Sequence, residues 1–138
     1  MGFEINRESL IFDEEHMELL AEAWRVREMA HIIGPTKVGC AVLTLNKRIF
    51  SGCNVEHRYR SHDVHAEVNA ITNMVSAGER SIEVIAIAAE RERFTPCGAC
   101  MDWIMQFGTE GCKVLVQSRQ GESGSMYTAN ELMPYYPK

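Results

Sequence analysis

Val84-Ile85-Ala86-Ile87-Ala88-Ala89 is an unbroken apolar run. It is too short for a buried helix and long enough for one strand of a sheet covered on both faces. Before it, Val68, Ile71, Met74 and Val75 recur on one side of a predicted helix over 65–78, which stops near Gly78. After it, Pro96 suits the entry of a second predicted helix that runs to about Phe107, with Gly108 close past its end. Lys113-Val114-Leu115-Val116-Gln117 reads as another strand, and Met126-Tyr127-Thr128, beyond a Gly/Ser-rich loop, as a short edge strand. Upstream, the apolar run Val38–Leu45 turns through Asn46-Lys47-Arg48 into Ile49–Val55, a predicted hairpin. Its small residues Gly39, Cys40 and Ala41 would let a helix or a neighbouring subunit lie close. Helices alternating with buried strands predict the α/β class: a three-layer α/β/α sandwich whose mixed sheet of about five strands carries helices on both faces.

The N-terminal third supplies one more helix. Asp13, Glu14 and Glu15 form an acidic first turn, and Met17, Leu20, Ala21, Trp24 and Ala30 recur at helical spacing, predicting a helix over 13–32 that Gly34-Pro35 ends. Residues 1–12 read as a tether. With 138 residues, 46% hydrophobic and 24% charged, the chain has the size and composition of a single soluble domain over 1–138. No run approaches the ~18 apolar residues that cross a bilayer, and no basic stretch with an apolar core opens the chain. A cytoplasmic protein without membrane partners is expected. Five cysteines, two of them in Cys-x-x-Cys, fit a reducing compartment and metal ligation better than a disulfide framework. A formal net charge of −5 argues against nucleic acid as a partner, because such binding needs clustered Lys and Arg on phosphates.

The chemistry concentrates in His65-Ala66-Glu67 and Pro96-Cys97-Gly98-Ala99-Cys100. One imidazole and two thiolates, from His65, Cys97 and Cys100, offer three ligands for a single Zn2+ per chain and leave a fourth tetrahedral position for water. Glu67, two residues from the imidazole, is placed to move protons without being a ligand. Alone, His-x-Glu is close to noise, and Cys-x-x-Cys also occurs as a redox pair or half of a structural zinc site. A closed structural site wants a fourth protein ligand, whereas Cys40, Cys53 and Cys112 sit in apolar runs that suit small buried side chains. Both predicted helices place these ligands in their first turns, so two positive helix ends face one metal and favour thiolate. The combined pattern is similar to the signature of the zinc-dependent deaminases.

The match extends further. Val38-Gly39-Cys40-Ala41-Val42-Leu43, Gly52-Cys53-Asn54-Val55-Glu56, the two zinc motifs and Glu131-Leu132-Met133-Pro134 together resemble the small cytidine deaminase family. The resemblance implies hydrolytic deamination of a cytidine-type aminopyrimidine nucleoside to the uridine-type product and ammonia. It assigns Asn54 and Glu56 to the sugar hydroxyls, the backbone of Ala66 to the base edge, and a homo-oligomer, tetramer or dimer, to the assembly. From the residues alone, Asn54 at a strand end reads as a turn residue. The family's aromatic residue two positions before Val-Gly is Thr36 here, and its Asn-x-x-Tyr-Gly segment is replaced by His57, Tyr59, Arg60 and Ser61. These departures leave the chemistry intact and alter the pocket around base and sugar. A blasticidin S-like or other modified cytosine nucleoside is therefore the alternative substrate, and a nucleotide deaminase or a non-catalytic zinc-binding relative a further one. A non-catalytic role predicts loss of the proton carrier, and Glu67 is present. The segment His57–Val64 reads as a polar loop at the pocket mouth, in which Arg58 and Arg60 are the candidates for an anionic substrate group or a subunit contact. Tyr135 and Tyr136 are taken as packing residues, with an aromatic wall for a neighbouring subunit as the other possibility.

Overall fold

The computed structural model describes residues 12–137. Asp13 stands in extended backbone and its Oδ1 accepts the His16 N–H at 2.8 Å, which caps helix α1 (Glu14–Arg27). The remaining elements are β1 (Val38–Thr44), β2 (Ile49–Cys53), α2 (Ala66–Ser76), β3 (Ile82–Ala89), α3 (Gly98–Phe107), β4 (Gly108–Gln117), β5 (Ser125–Thr128) and the single turn α4 (Ala129–Leu132). The five strands lie in the order β2-β1-β3-β4-β5. Only β3 and β4 run parallel, joined by the crossover helix α3, while the other neighbours are antiparallel. The sheet is therefore mixed, and β3 is central.

Alternation along the strands divides the core into two layers. Cys40, Val42, Ile85, Ile87, Val114 and Val116 face α2 and α3, where they meet Ala70, Ile71, Met74, Met101 and Ile104. Ala41, Leu43, Val84, Ala86, Ala88 and Leu115 face the opposite way, onto Leu19, Leu20, Ala23 and Trp24 of α1. Helices thus cover both faces, as the uninterrupted strands required. Burying each of these larger side chains contributes about 1.5–3 kcal/mol. Glycines set the two closest approaches. A Cβ on Gly39 would stand 1.9 Å from the Ala23 carbonyl of α1, and one on Gly52 would stand 2.6 Å from the Ala70 nitrogen of α2.

Several boundaries differ from the sequence reading. α1 ends at Arg27, well before Gly34-Pro35, because residues 28–37 leave the helix to form an irregular strap beside Asn54 and Glu56, bridged once from His31 to Val55. Its buried face is His16, Leu19, Leu20, Ala23 and Trp24, and Ala21 is exposed; a face centred on Ala23 satisfies the 3.6-residue period better than one centred on Ala21. Phe12, assigned to the tether, is buried and packs edge-on against His16. Residues 1–11 lie outside the described residues. β4 begins directly after α3 at Gly108, earlier than expected, through a half-exposed stretch with no apolar pattern. Among the described residues no helix is long and apolar enough to cross a membrane.

Candidate metal centre and its pocket

The crossover topology brings the N-termini of α2 and α3 to the same end of the sheet. His65 is the N-cap of α2 and Cys97 the N-cap of α3, both in extended backbone, so each lies one residue before its helix and not within the first turn. Extended caps project their side chains past the helix end. Cys97 Sγ also accepts the Cys100 N–H, and Cys100 occupies the first turn of α3. His65 Nδ1 lies 3.2 Å from Cys100 Sγ and 3.4 Å from Cys97 Sγ. Tetrahedral zinc with ordinary Zn–N and Zn–S bonds sets its nitrogen and sulfur ligands about 3.5 Å apart, so the donor set fits this metal. Among the described residues this is the one group of three His, Cys, Asp or Glu side chains able to share an ion. Cys40, Cys53 and Cys112 are buried and free of disulfides.

Burial pushes the Cys100 thiol up, with the neighbouring Glu67 adding to the effect. A divalent cation reverses that cost by holding the thiolate directly. Burial also raises the Cys40 thiol, followed by the charges of Glu67 and Cys100, which keeps it protonated. Glu67 itself is only 7% exposed, and desolvation raises its carboxyl, opposed by its own backbone N–H, by His65 and by Cys100. A carboxyl raised in this way takes and returns protons nearer neutral pH than an exposed one.

His65, Glu67 and Cys97 line a cavity of about 330 Å³ whose wall also includes Thr36, Asn54, Glu56, Ala66, Arg91 and Phe94. Asn54 bridges the strap: its Oδ1 accepts the Val38 N–H at 2.8 Å and its Nδ2 donates to the Thr36 carbonyl at 3.0 Å. Glu56 Oε1 accepts the N–H groups of Ile33 and Gly34 at 2.6 and 2.8 Å, and its Oε2 faces Arg60 at 3.3 Å. Those two amides, then Arg60, hold the Glu56 carboxyl below the usual range, with Asp63 opposing. Asn54 therefore does serve the backbone, as its residue type suggested, and it also lines the cavity. Arg60 reaches the pocket and also binds Asp63 at 2.9 Å, whereas Arg58 lies over the Tyr59 ring, 5.2 Å from its centroid. The polar loop His57–Val64 holds a short 3-10 turn at Arg60–His62 and packs the rings of His57, Tyr59 and His62 together.

Arg91 and Phe94 were not singled out from the sequence. Both lie between β3 and α3, and Phe94 is buried, giving the cavity an aromatic face. A phenylalanine two residues before Pro96-Cys97 was the available signal.

Residues 13–116 match the model of the cytidine and deoxycytidylate deaminase zinc-binding region, a span that contains the whole cluster and the pocket wall. The chain belongs to this family. It is 34% identical over 107 residues to a cytidine deaminase of Sporosarcina psychrophila, covering 76% of this chain and 79% of that one. A cytidine deaminase of Halalkalibacterium halodurans is 30% identical over 118 residues, covering 84% and 89%. Among solved structures, the cytidine deaminase of Burkholderia pseudomallei superposes with a TM-score of 0.82 at 30% identity, covering 88% of this chain and 98% of that one. The family is zinc-dependent, and His65, Cys97 and Cys100 are the donors this member offers.

Proposed function

We propose that the protein hydrolyses the exocyclic C–N bond of a cytidine-type nucleoside, giving the uridine-type product and ammonia. The observation that carries this reading is the juxtaposition of the clustered His65, Cys97 and Cys100 donors with the buried carboxyl of Glu67, at a cavity that His65, Cys97 and Glu67 line. Zinc, when bound, supplies a Lewis acid that lowers the pKa of water toward neutrality.

The protein's own groups do the rest. Glu67 takes a proton from the attacking water and returns it to the ring nitrogen, then delivers a second to the departing amino group. Its burial excludes bulk water from these transfers. The Ala66 N–H, one of the first in α2 and so without a helical acceptor, donates to the base edge. Phe94 offers its ring to the pyrimidine. Asn54 and Glu56 hold the sugar hydroxyls, Glu56 through Oε2, since Oε1 is occupied by the strap amides. The protein acts in the cytoplasm as a homo-oligomer. The exposed Trp103 and the 94% exposed Tyr135 support a surface covered by a second copy, while Tyr136 is tied within the chain to Asp102.

Ammonia release by zinc-loaded protein from cytidine, deoxycytidine, cytosine, blasticidin S and adenosine tests the proposal, with Glu67→Ala as control. Turnover of cytidine or deoxycytidine that the control abolishes is expected. Activity on blasticidin S alone transfers the reading to the antibiotic. Activity that survives in Glu67→Ala removes the proton carrier.

A further inference from the structure

Two elements carry the two halves of the cavity. Helix α2 holds Ala66 and Glu67, and the chain leaving β2 holds Asn54 and Glu56. β2 is the first strand in the sheet order, so among the described residues it has a strand neighbour on one side only. Side chains of α2 cover the other side. Asn69 Nδ2 donates to the Cys53 carbonyl at 2.9 Å, directly before Asn54, and the Asn69 backbone N–H donates to the His65 carbonyl at 3.0 Å. One helical turn later, Asn73 Nδ2 donates to the Ser51 carbonyl at 2.9 Å and lies 3.3 Å from Asn69 Oδ1.

Asparagine is a poor helix former because its amide competes for backbone groups, so two of them one turn apart on α2 are explained by the strand and not by the helix. Gly52 makes the contact possible, since a Cβ added there would stand 2.7 Å from both Cβ and Cγ of Asn69. The two rungs differ in place. Asn73 is exposed and meets Ser51, away from the cavity, which is ordinary protection of a sheet edge. Asn69 is half-buried and stands where the strand ends and the cavity wall begins. Its two bonds join the carbonyl of a metal donor, His65, to the residue before Asn54.

We propose that Asn69 is a positioning residue for the deamination: by tying Cys53 to α2 it fixes the sugar-holding end of β2 against the helix that carries Glu67. The inference rests on the deaminase reading above. A nucleoside gripped at its sugar presents its ring to Glu67 at a distance set by these two elements, and contacts remote from the reacting bond raise the rate only while that distance is held. A misplacement of about 1 Å can cost roughly 10²-fold. Loss of the Asn69 amide lets the strand end drift from α2 while every group that touches substrate or metal stays in the chain.

The test measures kcat, KM, zinc content and Tm of the zinc-loaded protein as Asn69→Leu, which keeps the branched shape of asparagine and removes its donor, beside Asn69→Gln and Gln117→Leu. Asn69→Leu should keep one zinc per chain and a KM for cytidine near the wild type, while kcat falls at least about tenfold. Asn69→Gln, whose amide can reach the same carbonyl from a longer stem, should recover part of the loss. Gln117→Leu, on the α1 side of the sheet, is the stability control, and its kcat should stay near the wild type. Glu56→Gln weakens the hold on the sugar, so the kcat loss from Asn69→Leu should be smaller in that background, whereas independent effects multiply. Wild-type kcat in Asn69→Leu, an equal kcat loss in Gln117→Leu, zinc lost in parallel with activity, or a loss that multiplies unchanged with Glu56→Gln overturns the proposal while leaving the deaminase reading in place. Silence of the zinc-loaded wild type toward cytidine and deoxycytidine sinks that reading, and Asn69 then has no reaction to position.

Discussion

Glu56 Oε1 accepts the backbone N–H of Gly34 at 2.8 Å, which ties the segment after β2 to the strap that follows α1. The neighbouring Ile33 N–H shares the same oxygen, so one carboxylate fixes a wall of the cavity and still presents Oε2 to the pocket. Glu56→Ala is expected to raise KM at least about tenfold, the loss of one hydrogen bond to a charged group. It should also speed hydrogen exchange at Ile33 and Gly34. Glu56→Gln keeps an acceptor for the amides, so it should leave their exchange near the wild type while KM still rises. Equal exchange in the wild type and Glu56→Ala would show that the strap does not depend on this carboxylate.

The same contacts set a pH dependence. The Ile33 and Gly34 amides, followed by Arg60, lower the folded-state pKa of Glu56, opposed by burial and by Asp63. A depressed carboxylate contributes stability that is fully present above its unfolded value, about 4.3, and is lost as pH falls through the folded value. The Tm advantage of the wild type over Glu56→Gln should therefore be constant from neutral pH to about 5 and shrink in stronger acid. A difference that grows on acidification contradicts this assignment.

Gly52 lies under α2, where an added Cβ would meet the Ala70 nitrogen at 2.6 Å and Asn69 Cβ at 2.7 Å. Backbone cannot yield as a flexible side chain does, so Gly52→Ala must move helix α2, which His65 caps and which carries Glu67. Overpacking of this kind costs about 1–3 kcal/mol. The variant should fold with a lower Tm and lose kcat disproportionately. Activity at the wild-type level would mean that α2 can shift without disturbing the site.

The elements that local pattern controls were legible in the sequence, and those set by distant contacts were not. Val84–Ala89 has no polar side chain to face water, so its place in the middle of a covered sheet follows from composition. His65, Cys97 and Cys100 stand in short motifs whose ligand chemistry is visible without coordinates. The end of α1 was misread because Gly34-Pro35 is the strongest local breaker, whereas the chain leaves the helix after Arg27 to meet partners encoded more than twenty residues later, at Asn54 and Glu56. Arg91 and Phe94 lie in a stretch without periodicity. Their nearness to Asn54 depends on β1 standing between β2 and β3, which is a property of strand order and not of any local segment.

Trp24 Nε1 donates to Gln117 Oε1 at 2.6 Å, joining α1 to the end of β4 through two buried side chains. Gln117 also donates to the Glu122 carbonyl, so both halves of its amide are in use. Gln117→Leu leaves the indole N–H without an acceptor in the core, a loss of about 1–3 kcal/mol. Thermal unfolding should fall by several degrees for a domain of this size. The pair lies on the α1 side of the sheet, away from the metal donors, so kcat of the zinc-loaded variant should stay near the wild type. An unchanged Tm would show that water or another acceptor replaces Gln117.

Metal ligation and proton transfer are separable at His65, Cys97, Cys100 and Glu67. Exhaustive chelation should abolish deamination and lower the Tm, and added zinc should restore both, because a metal at a thousandfold excess over its Kd stabilises the fold by about 4 kcal/mol. Cys100→Ala removes a buried donor, so it should leave purified protein with less than one zinc per chain by elemental analysis. Glu67→Gln touches no proposed ligand role. It should retain one zinc per chain while kcat falls by about 10²–10⁴-fold, the range for loss of a general acid–base group. Zinc lost from Glu67→Gln in parallel with activity would make Glu67 a ligand and leave the reaction without its proton carrier. Full zinc in Cys100→Ala would place the metal elsewhere.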